Sequence, residues 1–216
     1  MTPKDFVTQL SAMRFENAFN PYSDTCPVHD MADASAQRSH LLGQILEAAS
    51  TADVDAIWIG RDLGYRGGRR TGLALTDDVH FGSHLSRWGI SKQRPTTGKP
   101  VPERTAAAVW DLLDQIACPV FLWNVFPLHP HLSGDPFSNR MHNAKERRAG
   151  IEVLSQLVKL LQPRRLIAVG NDAERAAREI ADDTEIIKVR HPSYGGQADF
   201  SVRIKELYGI SEHLLL

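Results

Sequence analysis

The chain has 216 residues, 42% of them hydrophobic, and a formal net charge of −1. This length buries one sizeable core, and no repeat or linker divides it, so we expect one domain over residues 1–216. The near-neutral charge excludes a protein that coats nucleic acid through bulk electrostatics, which requires a concentrated excess of Lys and Arg. No apolar run reaches the roughly 18 residues of a membrane helix, and residues 1–10 lack a signal-peptide pattern. We therefore expect a cytoplasmic protein that does not contact membranes.

Helices and strands alternate along the chain. In the first half, the apolar periodicity predicts a helix capped by Asp33 or Ser35, a strand at 55–60, a helix opened by Pro102 and Glu103, and a strand at 119–124. In the second half it predicts a helix over Ala144–Leu161, a strand at 165–170, a helix capped by Asp172, a strand at 185–190, and a helix over 200–207. Strands separated by helices pair in parallel through right-handed crossovers. The predicted fold is a three-layer α/β/α domain with a central parallel four-stranded sheet.

Two segments, 14–30 and 76–102, show no clear periodicity. The second is rich in glycine and proline, and a segment of this length without an obvious element is usually functional or mobile. No role is predicted for either segment from its spacing.

Three loops follow predicted strands and carry groups that could act together. Asp62 comes just after the first strand, Asn124 ends the second, and His191 follows the fourth. Because the carboxyl ends of parallel strands meet at one edge of a sheet, we expect the three side chains to line a single cleft there. An amide offers both a donor and an acceptor, which suits the edge of a pyrimidine.

Each of these residues also has an ordinary structural interpretation. Asp62 could cap a turn or pair with Arg61, Arg66 or Arg69. Asn124 could satisfy loop backbone, and a solitary histidine such as His191 is usually structural. The functional interpretation of these three residues depends on their occurring together in this order.

That combination resembles the uracil-DNA glycosylase superfamily. The segment 60–64 (GRDLG) is similar to the first motif of the superfamily, and 191–193 (HPS) is similar to the second. Between them, 124–130 (NVFPLHP) resembles the segment whose asparagine reads the base, and 160–170 (LLQPRRLIAVG) resembles a helix-to-strand passage of the same superfamily. The resemblance runs from about residue 56 to residue 200.

The resemblance implies an enzyme that removes a base turned out of DNA into a pocket. Asp62 would stabilise the cationic sugar and orient or activate water, and His191 would donate a hydrogen bond to an oxygen of the departing base. Asn124 would read the exposed edge of the base. The other residues expected at the base are Gly60, Gly64, Leu75 and Phe126. With no lysine in the motifs to form a Schiff base, we expect a monofunctional enzyme.

Two positions depart from the most uracil-restricted branch of the superfamily. Gly64 stands where that branch carries a tyrosine that excludes a C5 methyl group, and a glycine leaves room for C5-substituted or bulkier bases. Leu75 stands where many members stack a phenylalanine on the base, a role that Phe126, Tyr65 or Phe81 could take over. Uracil, hypoxanthine, xanthine and C5-modified pyrimidines all remain candidates.

No cofactor or metal is implied. Two cysteines cannot supply the four thiolates of the iron–sulfur cluster found in one branch of the superfamily. His129 and His131 suggest a metal site, but Pro130 constrains them and no third ligand cluster is visible.

The expected partner is single- or double-stranded DNA that contains a damaged or modified base, bound by a monomer. Because the net charge is near zero, phosphate contacts must be local. The residues expected to contact DNA are Arg66, Arg69, Arg70, Arg190, Ser193, Tyr194, Gly195 and Gly196. Tyr194 would act as a wedge in the gap left by the extruded base, unless it packs on the sheet end.

Two other functions are compatible with the same pattern. A non-catalytic nucleic-acid sensor would need the base pocket but not Asp62, and a nucleoside or nucleotide hydrolase would need no basic rim. A third possibility within the glycosylase class is attack on modified bases in foreign DNA, which Gly64 alone suggests.

Overall fold

A computed structural model describes residues 1–210. The elements, in chain order, are α1 (Pro3–Ala12), β1 (Ala18–Phe19), α2 (Ala34–Ser50), β2 (Ala56–Asp62), α3 (Gly68–Thr71), α4 (Phe81–Ser86), α5 (Arg104–Leu113), β3 (Val120–Phe126), β4 (His129–Pro130), α6 (Ala144–Leu161), β5 (Arg165–Val169), α7 (Asn171–Ile180), β6 (Glu185–Val189) and α8 (Gln197–Tyr208). None of the helices within this described part is long and apolar enough to cross a bilayer.

The centre of the molecule is a four-stranded sheet in the order β3-β2-β5-β6. All three strand pairs are parallel, and Ile57 of β2 lies opposite Phe121 of β3 and Leu166 of β5. All seven residues of β3 are buried, as expected for a strand covered on both faces. The predicted three-layer α/β/α fold with a parallel four-stranded sheet is confirmed.

Alternate residues of the strands divide the core into two layers. Ile57 and Ile59 face one side, where they join the apolar faces of α1, α2, α6 and α7. Ala56 and Trp58 face the other side, against α5 and α8. Trp58 is fully buried there, and its ring meets Phe200 of α8 edge to face at 6.1 Å. Because alternate apolar side chains of β2 point to opposite faces of the sheet, helices pack on both faces.

The structure adds elements that periodicity did not predict. Helix α1 precedes the predicted elements and begins with a capping box between Thr2 and Asp5. The irregular segment 14–30 contains β1, which pairs antiparallel with β4, and 76–102 contains the short helix α4. Such short elements bury too few apolar residues to leave a periodic signal.

The start of α7 also differs from the prediction. Its N-cap is Gly170, whose backbone has φ of 95°, and no side chain caps the helix. Asp172 lies one residue inside the helix, where its carboxylate contacts His142 instead of the helix backbone. The prediction that Asp172 caps this helix was wrong, because its side chain forms an ion pair with His142 instead.

Two helical glycines provide a test of how tightly the layers pack. Gly150 of α6 lies so close to β3 that an added Cβ would collide with the Val125 carbonyl oxygen, whereas Gly43 of α2 has free space around it. We expect Gly150→Ala to lower the free energy of unfolding by about 1–3 kcal/mol through overpacking. Gly43→Ala should raise it by about 0.5–1 kcal/mol, because alanine loses less backbone entropy. Urea unfolding of both variants checks the signs, and a stabilised Gly150→Ala protein would contradict the helix–strand contact.

Candidate active site

Both predicted catalytic residues border one cavity at the carboxyl edge of the sheet. Asp62 is the last residue of β2, and His191 follows β6 by one intervening residue. Both line a cavity of about 570 Å³. The edge position follows from parallel pairing, which brings the ends of β2, β5 and β6 together.

Both carboxylate oxygens of Asp62 have a basic partner. Nε–H of Arg61 donates to Oδ2 at 2.8 Å, and Nδ1 of His142 lies 2.5 Å from Oδ1. The other ring nitrogen of His142, Nε2, lies 3.2 Å from Oδ2 of Asp172. The His142 ring therefore bridges two carboxylates, one from β2 and one from α7.

The His142 bridge carries a positive charge at neutral pH. Burial lowers the pKa of His142, but contacts with Asp172 and Asp62 outweigh burial and raise that pKa to about 9. The contact with His142 in turn lowers the pKa of Asp172. A cationic ring donates from both nitrogens and fixes the Asp62 carboxylate in one orientation.

The charged bridge predicts a pH dependence of stability. The pKa of His142 is higher in the folded protein than its ordinary value of 6.5, so its stabilisation is fully present below pH 6.5 and is lost as pH rises through about 9. We expect His142→Gln to lower the free energy of unfolding most at about pH 6 and least at about pH 10. Urea unfolding across this range measures the difference.

His40→Gln serves as the control, because His40 is exposed on α2. That variant should follow the wild-type pH dependence. If the difference in free energy of unfolding between wild type and His142→Gln stays constant from about pH 6 to about pH 10, the bridge is not charged.

His191 presents one nitrogen to its own loop and leaves the other available. The backbone N–H of Ser193 donates to Nδ1 of His191 at 3.1 Å. Burial, together with the positive charge of Arg61, lowers the pKa of His191 below its ordinary value. A neutral ring whose Nδ1 accepts a hydrogen bond carries its proton on Nε2. His191 is thus a neutral Nε2–H donor at the cavity.

Asn124 is buried beside the cavity rather than on its surface. It is 1% exposed, and its Oδ1 atom has no hydrogen-bond partner. A Cβ added at Gly60 would collide with Oδ1 and would lie 3.0 Å from Cδ2 of Leu75, so the amide and Leu75 share one small region. Leu75 does line the cavity. Only glycine at position 60 leaves room for the amide, and an unsatisfied buried acceptor is costly unless a ligand completes it.

The other predicted base contacts are divided between the cavity and the core. Gly64 and Leu75 line the cavity, whereas Gly60 is buried within β2. Phe126 is fully buried, and its ring packs edge-on against Phe15 at 5.4 Å. Phe126 thus does not line the cavity in this structure, because its side chain packs in the core.

Arg69 and Arg70 are also inside the protein. Arg70 forms a buried ion pair with Asp78 at 2.7 Å. The guanidinium of Arg69 lies 3.8 Å from the ring centre of Phe19 and 5.2 Å from that of Phe137. The structure therefore does not place these two predicted DNA contacts on the surface, because both side chains are buried.

The remaining predicted DNA contacts, apart from the buried Gly196, are exposed or line the cavity. Arg66 is exposed, and Arg190 is exposed in an ion pair with Asp199 at 2.7 Å. Ser193 and Tyr194 line the cavity, and the Tyr194 side chain is 101% exposed with φ of 54°.

The loop that carries these residues is tightly folded. Gly195 has φ of 77°, and a Cβ at Gly196 would collide with the His191 carbonyl oxygen. Glycine at both positions lets the loop turn sharply and leaves Tyr194 projecting into solvent.

Sequence reasoning missed three acidic or basic residues of this site. His142, Asp172 and Glu103 showed no spacing that linked them to Asp62. The one available signal was local, since His142 immediately precedes Asn143, which forms a capping box with Glu146 at the start of α6. A residue before such a cap is held in a defined position.

Comparison with known proteins agrees with this architecture. The crystal structure of wild-type SMUG2 from Pedobacter heparinus is similar at a TM-score of 0.64 and 15% identity, covering 97% of this chain and 96% of that one, which shows the fold. A tyrosine-to-glycine mutant of UNG from Nitratifractor salsuginis matches at a TM-score of 0.36 and 17% identity over 78% of each chain. No curated protein matches the chain. The family model described as the uracil DNA glycosylase superfamily matches residues 49–207, most of the sequence, and the chain therefore belongs to that superfamily.

Proposed function

We propose that the protein is a monofunctional DNA glycosylase, which hydrolyses the N-glycosidic bond of uracil or a related damaged or modified base turned out of DNA. The observation that carries this proposal is the presence of Asp62 and His191 on one cavity of about 570 Å³. Pockets of roughly 300–1,000 Å³ accommodate small molecules, so a nucleobase fits this volume. The cavity combines a fixed negative charge with a neutral hydrogen-bond donor, as base removal requires.

Asp62 acts on the sugar and on water. Departure of the base leaves positive charge on the sugar, which a carboxylate stabilises if its position is already set. Arg61 and His142 set that position through one contact on each carboxylate oxygen. The remaining lone pairs of Asp62 orient the attacking water.

His191 acts on the leaving base. The base departs with negative charge delocalised onto its carbonyl oxygens, and an N–H donor aimed at that charge in a closed site lowers the barrier by about 3 kcal/mol. The Ser193 backbone holds the ring through Nδ1, which leaves the proton on Nε2 for the base. A neutral donor keeps its proton throughout the step.

Asn124 reads the edge of the base. Its buried Oδ1 lacks a partner in the free protein, and the N–H of a pyrimidine edge supplies one. Leu75 lies beside the amide with φ of 52°, an unfavourable backbone conformation for a residue with a side chain. A small movement of Leu75 would bring the amide to the cavity surface.

DNA, single- or double-stranded, binds as the substrate of a monomer through the surface around the cavity. Arg66 and Arg190 contact phosphates, and the projecting Tyr194 enters the gap left by the extruded base. Of the residues that line the cavity in the described part of the chain, none is a lysine. This supports hydrolysis by water rather than through a Schiff base.

The proposal is tested by incubating the protein with oligonucleotides that contain uracil, hypoxanthine, xanthine or a C5-modified pyrimidine, followed by alkaline cleavage at abasic sites. We expect strand cleavage with at least one of these bases. Free nucleosides serve as the comparison. Release from nucleosides but not from DNA would indicate a nucleoside hydrolase, and tight binding without release would indicate a sensor.

A further inference from the structure

Glu103 is an acidic residue of the cavity that the proposed mechanism does not use. It is the N-cap residue of α5, and its carboxyl group has Thr105 in the first turn of that helix as a hydrogen-bond partner. Its side chain also lines the same cavity as Asp62 and His191. The carboxyl group therefore lies between the start of the helix and the cavity.

The carboxyl group lies over two glycines of the loop after β2. A Cβ added at Gly67 would lie 2.6 Å from Oε2 of Glu103, and one added at Gly64 would lie 4.0 Å from the same atom. The absence of side chains at both positions opens the space in which the carboxyl group lies. Glu103 therefore bounds the side of the cavity that Gly64 leaves open.

No cation neutralises this carboxyl group in the described part of the chain. Burial raises the pKa of Glu103, a hydrogen bond to Thr105 opposes the rise, and the nearby charge of Asp77 adds to it. The Glu103 backbone N–H also donates to Asp77 Oδ2 at 2.6 Å, which holds the two acidic residues together. A buried acidic group next to a second one is best completed by a hydrogen-bond donor or a cation.

The chemistry of a pyrimidine indicates which ring atom meets this group. The following step rests on the proposed function. In the proposed function N1 joins the sugar, a carbonyl oxygen of the base meets His191, and an N–H edge of the base meets Asn124. The C5–C6 edge is taken by none of these groups, so it is the edge left for the cavity wall that Gly64 and Glu103 form.

We propose that Glu103 is a specificity-determining residue, which hydrogen-bonds a donor-bearing substituent at C5 of the extruded pyrimidine and favours a cationic substituent most. The substrate class is thus a pyrimidine that carries an amino- or hydroxyl-bearing group at C5. A methyl group at C5 offers no hydrogen-bond donor, so it leaves the carboxyl group without a partner on the cavity side.

The test compares thymine, 5-hydroxymethyluracil and 5-aminomethyluracil, each in the same oligonucleotide, together with uracil. Hydroxymethyl and aminomethyl are nearly equal in size, each is one heavy atom larger than methyl, and the three differ in donor capacity and charge. We expect kcat/KM to rise from methyl to hydroxymethyl to aminomethyl, by about tenfold at each step.

An electron-withdrawing substituent also makes the base a better leaving group, so comparing substrates in the wild type alone does not isolate the role of Glu103. The decisive measurement is how the ratio of kcat/KM between two substrates changes when Glu103 is substituted. In Glu103→Gln, which keeps the shape but removes the acidic group, the aminomethyl-to-methyl ratio of kcat/KM should fall about tenfold or more. Arg104→Ala is the matched control, since Arg104 is the exposed next residue and does not line the cavity. Its ratio should equal that of the wild type.

The outcomes separate this inference from the proposed function. Release of uracil with an unchanged ratio in Glu103→Gln would overturn the role of Glu103 alone. Failure of the wild-type protein to release any base, uracil included, would overturn the proposed function. If thermal unfolding shows that Glu103→Gln is not folded, Glu103→Asp, whose shorter carboxyl group cannot reach the same point, should lower the ratio in the same direction.

Discussion

Replacement of Asp62 by asparagine is expected to slow base release by about two to three orders of magnitude. The substitution keeps the size of the side chain but removes the negative charge that stabilises the sugar cation. It also weakens the contacts with Arg61 and His142, both of which are charge-assisted. Single-turnover measurement of abasic-site formation on the best substrate gives the rate.

Asp53→Asn is the matched control for this prediction. Asp53 precedes β2 at the opposite, amino end of the strand, where its exposed carboxylate pairs with Arg164. The same chemical change there should leave base release unaltered. Circular dichroism establishes that both variants keep the fold, and a wild-type rate in Asp62→Asn would remove this residue from the mechanism.

Replacement of His191 by alanine is expected to slow base release by about a hundredfold or more. The variant loses the N–H donor that faces the departing base, and no other residue in the loop 191–196 has an imidazole ring. Because the donor acts on charge that develops during the reaction, the loss should appear in kcat more than in KM. Steady-state kinetics on the same oligonucleotide separate the two parameters.

A control for this second prediction is His40→Ala on the outer surface of α2. It should match the wild type in both parameters. An increase in KM with unchanged kcat in His191→Ala would assign His191 to uniform binding of DNA rather than to the departing base.

The four parallel strands of the sheet could be predicted because each strand carries a local signal. β2, β3 and β5 are apolar runs with buried residues on both faces, which is typical of central parallel strands, and helices separate them. Parallel pairing alone then places the ends of β2 and β6 at one edge. For this reason Asp62 and His191 could be assigned to a common cleft before the structure was known.

Burial of polar side chains could not be predicted in the same way. Arg66 and Arg70 belong to one basic stretch, yet Arg66 is exposed and Arg70 is enclosed with Asp78. The difference depends on Asp78, which approaches only when segment 76–102 folds over the loop. The burial of Phe126 could not be predicted either, because its partner Phe15 lies far away in the chain.

The sequence by itself determined the alternation of strands and helices, the edge at which the three motifs meet, and the residue types available there. Those properties depend on short-range periodicity and on the fixed direction of parallel strands. Only the tertiary structure decided that His142 bridges Asp62 and Asp172, that Asn124 lies behind the cavity surface, and that Glu103 faces its open side. The physical reason is that an ion pair or a buried amide depends on distances between segments remote in the chain, and such distances leave no periodic trace in the sequence.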